Sequence, residues 1–223
     1  MARPRLITDE QILTAMRACV LERGAMVSLD VVAERLGVTS PALLKRFGNR
    51  QELMLKALLP PESPTWMEEF DRGPDARPLE AQLAEHFDRI WAFFEGVIPC
   101  VSALRESGVP HQKIFEGKRN APVHSIRAIS KWLEKARDAG LIDTEAPESV
   151  ATAILGGLQT RAFTAHVTKL HYSTRSNREY LGDLVQLFSR ALAPASKATS
   201  KAASKFASKV APKTKRRGRQ EVA

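Results

Sequence analysis

Thr39, Ser40, Ala42, Lys45 and Arg46 fall on one side of a short helical stretch, opposite Val38, Leu43 and Phe47, and no acidic residue occurs between Arg35 and Arg50. Short hydroxyls, a small alanine and two cations on one acid-free face suit contact with phosphates and base edges in a DNA major groove. The competing reading is an ordinary helical hairpin with a solvated basic face. Catalytic chemistry is not legible. His166 and His171 lie five apart, off the i, i+4 spacing that sets two ligands on one helix face, and no cysteine accompanies them. The histidines therefore imply no metal site. Cys19 and Cys100 are far apart in apolar contexts, as expected of buried thiols in a reducing compartment. No nucleophile motif, phosphate loop or partnered carboxylate pair occurs, so neither an enzyme nor a cofactor is expected.

The elements that must hold the basic face follow from periodicity and turn chemistry. Ile12, Leu13, Met16, Cys19 and Val20 repeat at helical spacing, and Gly24 ends that helix. Ser28 is placed to cap a second helix, with Asp30 in its first turn and Leu29, Val32, Ala33 and Leu36 facing inward. Gly37 breaks the pattern. Thr39 can cap a third helix, whose first turn accepts Pro41 because an N–H there lacks an intrahelical partner anyway. Small Ala33 permits close helix approach, Gly37 permits a tight turn, and Val38, Leu43 and Phe47 pin the third helix down. The segment from Ser28 to Phe47 thus has the form of a helix-turn-helix. A fourth helix follows over Gln51–Leu59. Five prolines and Gly73 between residues 60 and 78 predict an irregular linker.

Here the sequence resembles the tetracycline-repressor (TetR) class of regulators. The residues that carry the resemblance are Ile12-Leu13, Gly24, Ser28, Val32-Ala33, Leu36-Gly37-Val38-Thr39, Leu43, Phe47 and Gly48-Asn49-Arg50-Gln51-Glu52-Leu53. The resemblance implies a DNA-binding domain over 1–59, with its motif at 28–47 and a recognition helix at Thr39–Phe47. It also implies a helical ligand-binding and dimerisation domain over 60–193. DNA contacts are expected from Ser28, Thr39, Ser40, Pro41, Ala42, Leu44, Lys45, Arg46 and Arg50. Leu44 stands where such regulators usually carry a phosphate-binding tyrosine, so anchoring should shift to Lys45, Arg46 and Arg50, or Leu44 should meet a thymine methyl. Arg46 and Arg50 stand where a histidine and a lysine are common.

The remainder reads as all-α. Leu79, Leu83, Phe87, Ile90, Phe94 and Val97 mark a long helix that should break at Pro99. Further helices are expected over Val123–Ala139, Val150–Val167 and Arg178–Leu192. By the resemblance an effector cavity lies among these helices, and Trp91, Phe94, Cys100, Leu104, Trp132 and Phe163 are the candidates to line it. Such a lining favours a small apolar ligand. Val150–Val167 is apolar nearly all round, which points to a homodimer seam shared with the last helix. Gly156-Gly157 costs that helix roughly 1 kcal/mol per glycine against alanine. A close approach at the seam, or a bend beside the cavity, would offset that cost.

The charge is unevenly placed. The chain carries +9 overall, but residues 1–59 contribute +3, residues 60–192 contribute −2, and residues 193–223 contribute +8. The tail over 194–223 is built of Ala, Ser, Lys and Pro and should be disordered in isolation. No apolar run reaches the roughly 18–20 residues that span a membrane. Met1-Ala2-Arg3-Pro4-Arg5 offers no secretion signal, so a cytoplasmic, nucleoid-associated protein is expected. Two functions remain in view. One is an operator-binding repressor released by its effector. The other is a nucleoid-associated protein acting mainly through its basic tail.

Overall fold

A computed structural model describes residues 7–59, 64–115, 121–168 and 175–194. These residues form ten α-helices, and no strand occurs among them. The chain begins with α1 (Asp9–Arg23), α2 (Leu29–Leu36), α3 (Ser40–Phe47) and α4 (Arg50–Leu58). Their boundaries are set by side-chain caps. Thr8 and Gln11 form a reciprocal capping box at α1, and Ser28, Thr39 and Asn49 accept from Val31, Ala42 and Glu52 N–H at the next three starts. Gly37 takes φ +66°, and the Val38 N–H returns to the Ala33 carbonyl at 3.0 Å. That left-handed residue is what allows α3 to turn off α2 within three residues.

The segment expected to be an irregular linker instead contains α5 (Thr65–Arg72). Flanking prolines leave room for two helical turns, and Trp66, Met67 and Phe70 give those turns one buried face. Next comes α6 (Leu79–Glu106), which runs unbroken through Pro99. The proline removes the N–H that would bond the Glu95 carbonyl. Glu95 and Gly96 lie on the exposed side, where solvent can take over that bond, so the helix survives. The fold closes with α7 (His111–Phe115), α8 (Ala121–Asp138), α9 (Pro147–Thr168) and α10 (Asn177–Leu192). The lysine-rich tail, from residue 195 on, lies outside the described residues.

Two hydrophobic cores result. The smaller joins α1–α4 through Met16, Cys19, Val32, Leu43, Phe47 and Met54. The larger joins α5, α6, α8, α9 and α10 through Phe87, Ile90, Trp132, Leu133, Ile154 and Leu158. Helix α6 serves both. Its residues from Leu79 to Ile98 belong to the larger core, while Cys100, Ala103 and Leu104 are buried in the smaller. One rigid rod therefore passes from the bundle into the N-terminal domain.

Candidate functional site

Helix α3 is seated by Leu43 and Phe47, both buried, and turns its remaining surface outward. Thr39, Pro41, Ala42, Leu44, Lys45 and Arg46 are exposed, Ser40 is half-buried, and Ser28 is exposed at the start of α2. The geometry brings all the expected α3 residues onto one surface. Their availability differs. Lys45 has no ion-pair or hydrogen-bond partner among the described residues. Arg46 is held back, its Nε 2.6 Å from Asp9 Oδ1 and its guanidinium donating to the Ile7 carbonyl. Ser40 Oγ donates to Asp30 Oδ1, which ties α3 to α2. Thr39 Oγ1 accepts from Ala42 N–H and keeps its own proton for a donor bond.

Arg50 is engaged within the N-terminal helices. Its guanidinium donates to the carbonyls of Ala25 and Val27, with Nε–O and Nη2–O distances to Val27 of 3.1 and 3.0 Å. It is half-buried and fastens α4 to the α1–α2 loop. A phosphate contact by Arg50 would be made alongside these two carbonyls. Adjacent sequence position placed it near the basic face, whereas the loop carbonyls that claim it come from 23 and 25 residues earlier. Asp9 and Asp30, which orient the α3 face, carry no sequence signal for the same reason.

The expected effector residues do not share one cavity. Trp91, Phe94 and Trp132 are buried in the larger core. Cys100 and Leu104 are buried in the smaller one, against the N-terminal helices, because α6 continues past Pro99. Phe163 is 52% exposed on the outer face of α9. A different group of rings gathers instead. Phe70 of α5 stacks on His86 of α6 at 4.1 Å between centroids, and His86 meets Trp132 of α8 edge-on at 5.2 Å. Phe70 also meets Trp66 and Trp132 edge-on, at 5.5 and 6.2 Å. Burial pushes the His86 imidazole down to about 4, so it is neutral at neutral pH. Sequence reading missed Trp66, Phe70 and His86, since α5, α6 and α8 meet only in the fold.

Helices α9 and α10 are fastened to each other within the chain. Tyr180 Oη donates to the Gly157 carbonyl at 3.0 Å, and Arg161 lies over the Tyr180 ring at 4.5 Å while donating to Asn177 Oδ1. A Cβ at Gly157 would meet Tyr180 Oη at 3.4 Å, so this glycine answers a close approach inside the chain. Gly156 faces open space. Beyond it the outer surface carries Phe163, Val167 at 57% exposure and Leu187 at 59%. No group of three or more His, Cys, Asp or Glu is placed to hold a metal among the described residues, and His171 lies outside them. No described helix is long and apolar enough to cross a membrane.

No protein-family model and no curated protein sequence matches the chain. Solved structures do. A protein assigned to the TetR family of transcriptional regulators from Mesorhizobium loti superposes with a TM-score of 0.61 at 18% identity, over 83% of this chain and 96% of that one. A TetR transcriptional regulator from Streptomyces coelicolor gives 0.55 at 20% identity, over 85% and 100%. FadR from Bacillus subtilis, a transcriptional regulator solved in complex with stearoyl-CoA, gives 0.55 at 14% identity, over 80% and 97%. At these identities the common property is the fold, an N-terminal helix-turn-helix on an all-helical C-terminal domain.

Proposed function

We propose that this chain, which has the TetR-like fold, is a DNA-binding transcriptional regulator that works as a homodimer and is released from its operator by a small apolar effector. The observation that carries the reading is the α3 surface. An exposed, acid-free helix face is seated against two capped neighbours, α2 and α4, with Lys45 free to meet a phosphate. An ordinary hairpin has no need of such a seat. Dimerisation is supported by the apolar outer face of α9 and α10, where Phe163, Val167 and Leu187 lie exposed. A dimer presents two recognition helices, which must stand about 34–36 Å apart to enter successive major grooves. Helix α6 supplies a route for release. Because it is packed into both cores, a ligand that shifts it in the bundle also shifts Cys100 and Leu104 beneath the DNA-binding helices. The stearoyl-CoA complex of FadR supports the idea that this fold accommodates an apolar ligand.

The deciding experiment is selection of bound fragments from a random DNA library, followed by footprinting. Recovery of a palindrome with two half-sites about one helical turn apart is the expected result. Protection without sequence preference would refute the operator-specific reading and favour the tail-driven, nucleoid-associated one. That second reading draws on the +8 carried by residues 193–223.

A further inference from the structure

Four buried side-chain polar atoms lack a hydrogen-bond partner among the described residues: Trp66 Nε1, His86 Nδ1, Ser130 Oγ and Trp132 Nε1. Native interiors rarely leave such atoms unpaired, and an orphaned group calls for an explanation. Three of the four belong to one ring cluster, contributed by three different helices. Phe70 sits in the middle of it, stacked on His86 and edge-on to both indoles. The phenyl ring fills the box sterically and offers nothing to the N–H groups around it. Trp66, His86 and Trp132 are all more than nine-tenths buried, at 4%, 8% and 1% exposure.

We propose that Phe70 is an internal plug in an effector site, and that the site takes a flat, uncharged ring compound bearing carbonyl oxygens. The choice of class follows from the donors. An indole N–H can only donate, so Trp66 and Trp132 ask for acceptor oxygens. The ring of the ligand replaces Phe70 on the face of His86. No carboxylate or cation is buried in the cluster, which disfavours a charged ligand. The neutral state of His86 agrees with that choice.

Helix α5 is built as the cover. It spans eight residues, has no side-chain cap at Pro64, and ends at Gly73 with φ +82°. Its polar ties to the bundle lie at the rim, while Trp66, Met67 and Phe70 anchor it in the larger core. Glu69 pairs with Arg89, and Lys135 Nζ donates to the Asp71 carbonyl at 2.5 Å. Lifting α5 withdraws Phe70 and Trp66 together and leaves His86 and the Trp132 N–H to meet the ligand. The inference rests on the reading of this chain as a ligand-responsive regulator, to which it adds the position and chemistry of the ligand.

The test uses the full chain and two probes of similar size, acetophenone and ethylbenzene, which differ in the carbonyl oxygen. Binding is read by calorimetry and by thermal shift, without DNA. Phe70→Ala should bind acetophenone at least tenfold more tightly than the unsubstituted chain does, and at least tenfold more tightly than it binds ethylbenzene. Adding Trp132→Phe, which keeps a ring and removes the N–H, should abolish most of that preference. Should Phe70→Ala fail to fold, Phe70→Leu provides the same comparison. Equal binding of the two probes would mean a plain apolar cavity and would overturn the proposal, as would the absence of binding by either variant. Loss of operator specificity in the footprint would refute the regulatory reading instead, and leaves this comparison readable.

Discussion

Arg50 donates from Nε and Nη2 to two backbone carbonyls, which leaves Nη1 for any phosphate. Arg50→Ala should therefore act on the fold, leaving the Ala25 and Val27 carbonyls without their half-buried donor. The expected loss is about 1.5–3 kcal/mol, read by urea denaturation, and Arg50→Lys should recover only part because one ammonium lacks the planar fork. A variant that keeps full stability yet loses DNA would return Arg50 to the interface. Lys45→Ala should do the reverse, keeping stability while lowering the log-affinity against log-salt slope by about 0.9 on any duplex. An unchanged slope would remove Lys45 from the interface. His86 gives a pH signature. Burial pushes it from 6.5 to about 4. Well above pH 6.5 the ring is neutral in both states; as pH falls through 6.5 toward 4, the unfolded chain takes up a proton that the folded chain resists, and stability declines by up to about 3 kcal/mol. Asp75 and Glu85 are held below their ordinary values, the first chiefly by hydrogen bonding from Arg77 and the second chiefly by hydrogen bonding from Arg77 and Arg89. Their losses begin at lower pH. Denaturation of His86→Phe at about pH 6.5 and about pH 4.5 should give nearly equal stabilities where the unsubstituted chain shows a drop.

Elements were legible in the sequence wherever local chemistry sets them. The caps at Ser28 and Thr39, the turn at Gly37 and the inward Leu43 and Phe47 can be read from neighbours a few residues apart, and the structure realises each. Two elements were not legible because a distant surface decides them. Helix α5 is too short and too proline-flanked to be argued from pattern, and exists by burying Trp66, Met67 and Phe70. Helix α6 survives Pro99 because its far end is needed as a lid on the N-terminal core, where Cys100, Ala103 and Leu104 are buried. The same limit hid the aromatic box. The twin glycines of α9 divide in the same way, one serving the chain and one free for a partner. Gly156→Glu places its carboxylate in open space within the chain, so helicity and monomer stability should hold while the dimer dissociates. Gly157→Glu should lower stability instead, by pressing on Tyr180 and Leu184. Sedimentation of Gly156→Glu as a dimer would move the interface off this face.

Across the whole molecule, charge is segregated from shape. The segment between residues 60 and 192 is slightly acidic, so on the proposed function attraction to DNA comes from its two flanks, +3 before it and +8 after it. In that proposal sequence reading falls to α3, and nothing in it requires a basic tail. Lys197, Lys201, Lys205, Lys209 and Lys213 recur every four residues and lead into Lys215-Arg216-Arg217-Gly218-Arg219. Like charges at that spacing repel in a free helix and stop repelling once phosphates neutralise them. The tail should then add affinity to any duplex through counterion release while reading no bases. Its deletion has a defined site. The Leu192 carbonyl accepts from Asp143 N–H at 2.8 Å, so a stop after Pro194 spares that bond and the bundle. Each phosphate that the shortened chain leaves unneutralised should flatten the log-affinity against log-salt slope by about 0.9, on operator and random DNA alike. A contribution that reads no bases lowers both affinities by the same factor, so the specificity ratio should hold. Parallel titrations of the full and shortened chains over a salt series measure both quantities. Unchanged slopes would show that the tail takes no part in binding, and a narrowed ratio would show that it helps to read sequence.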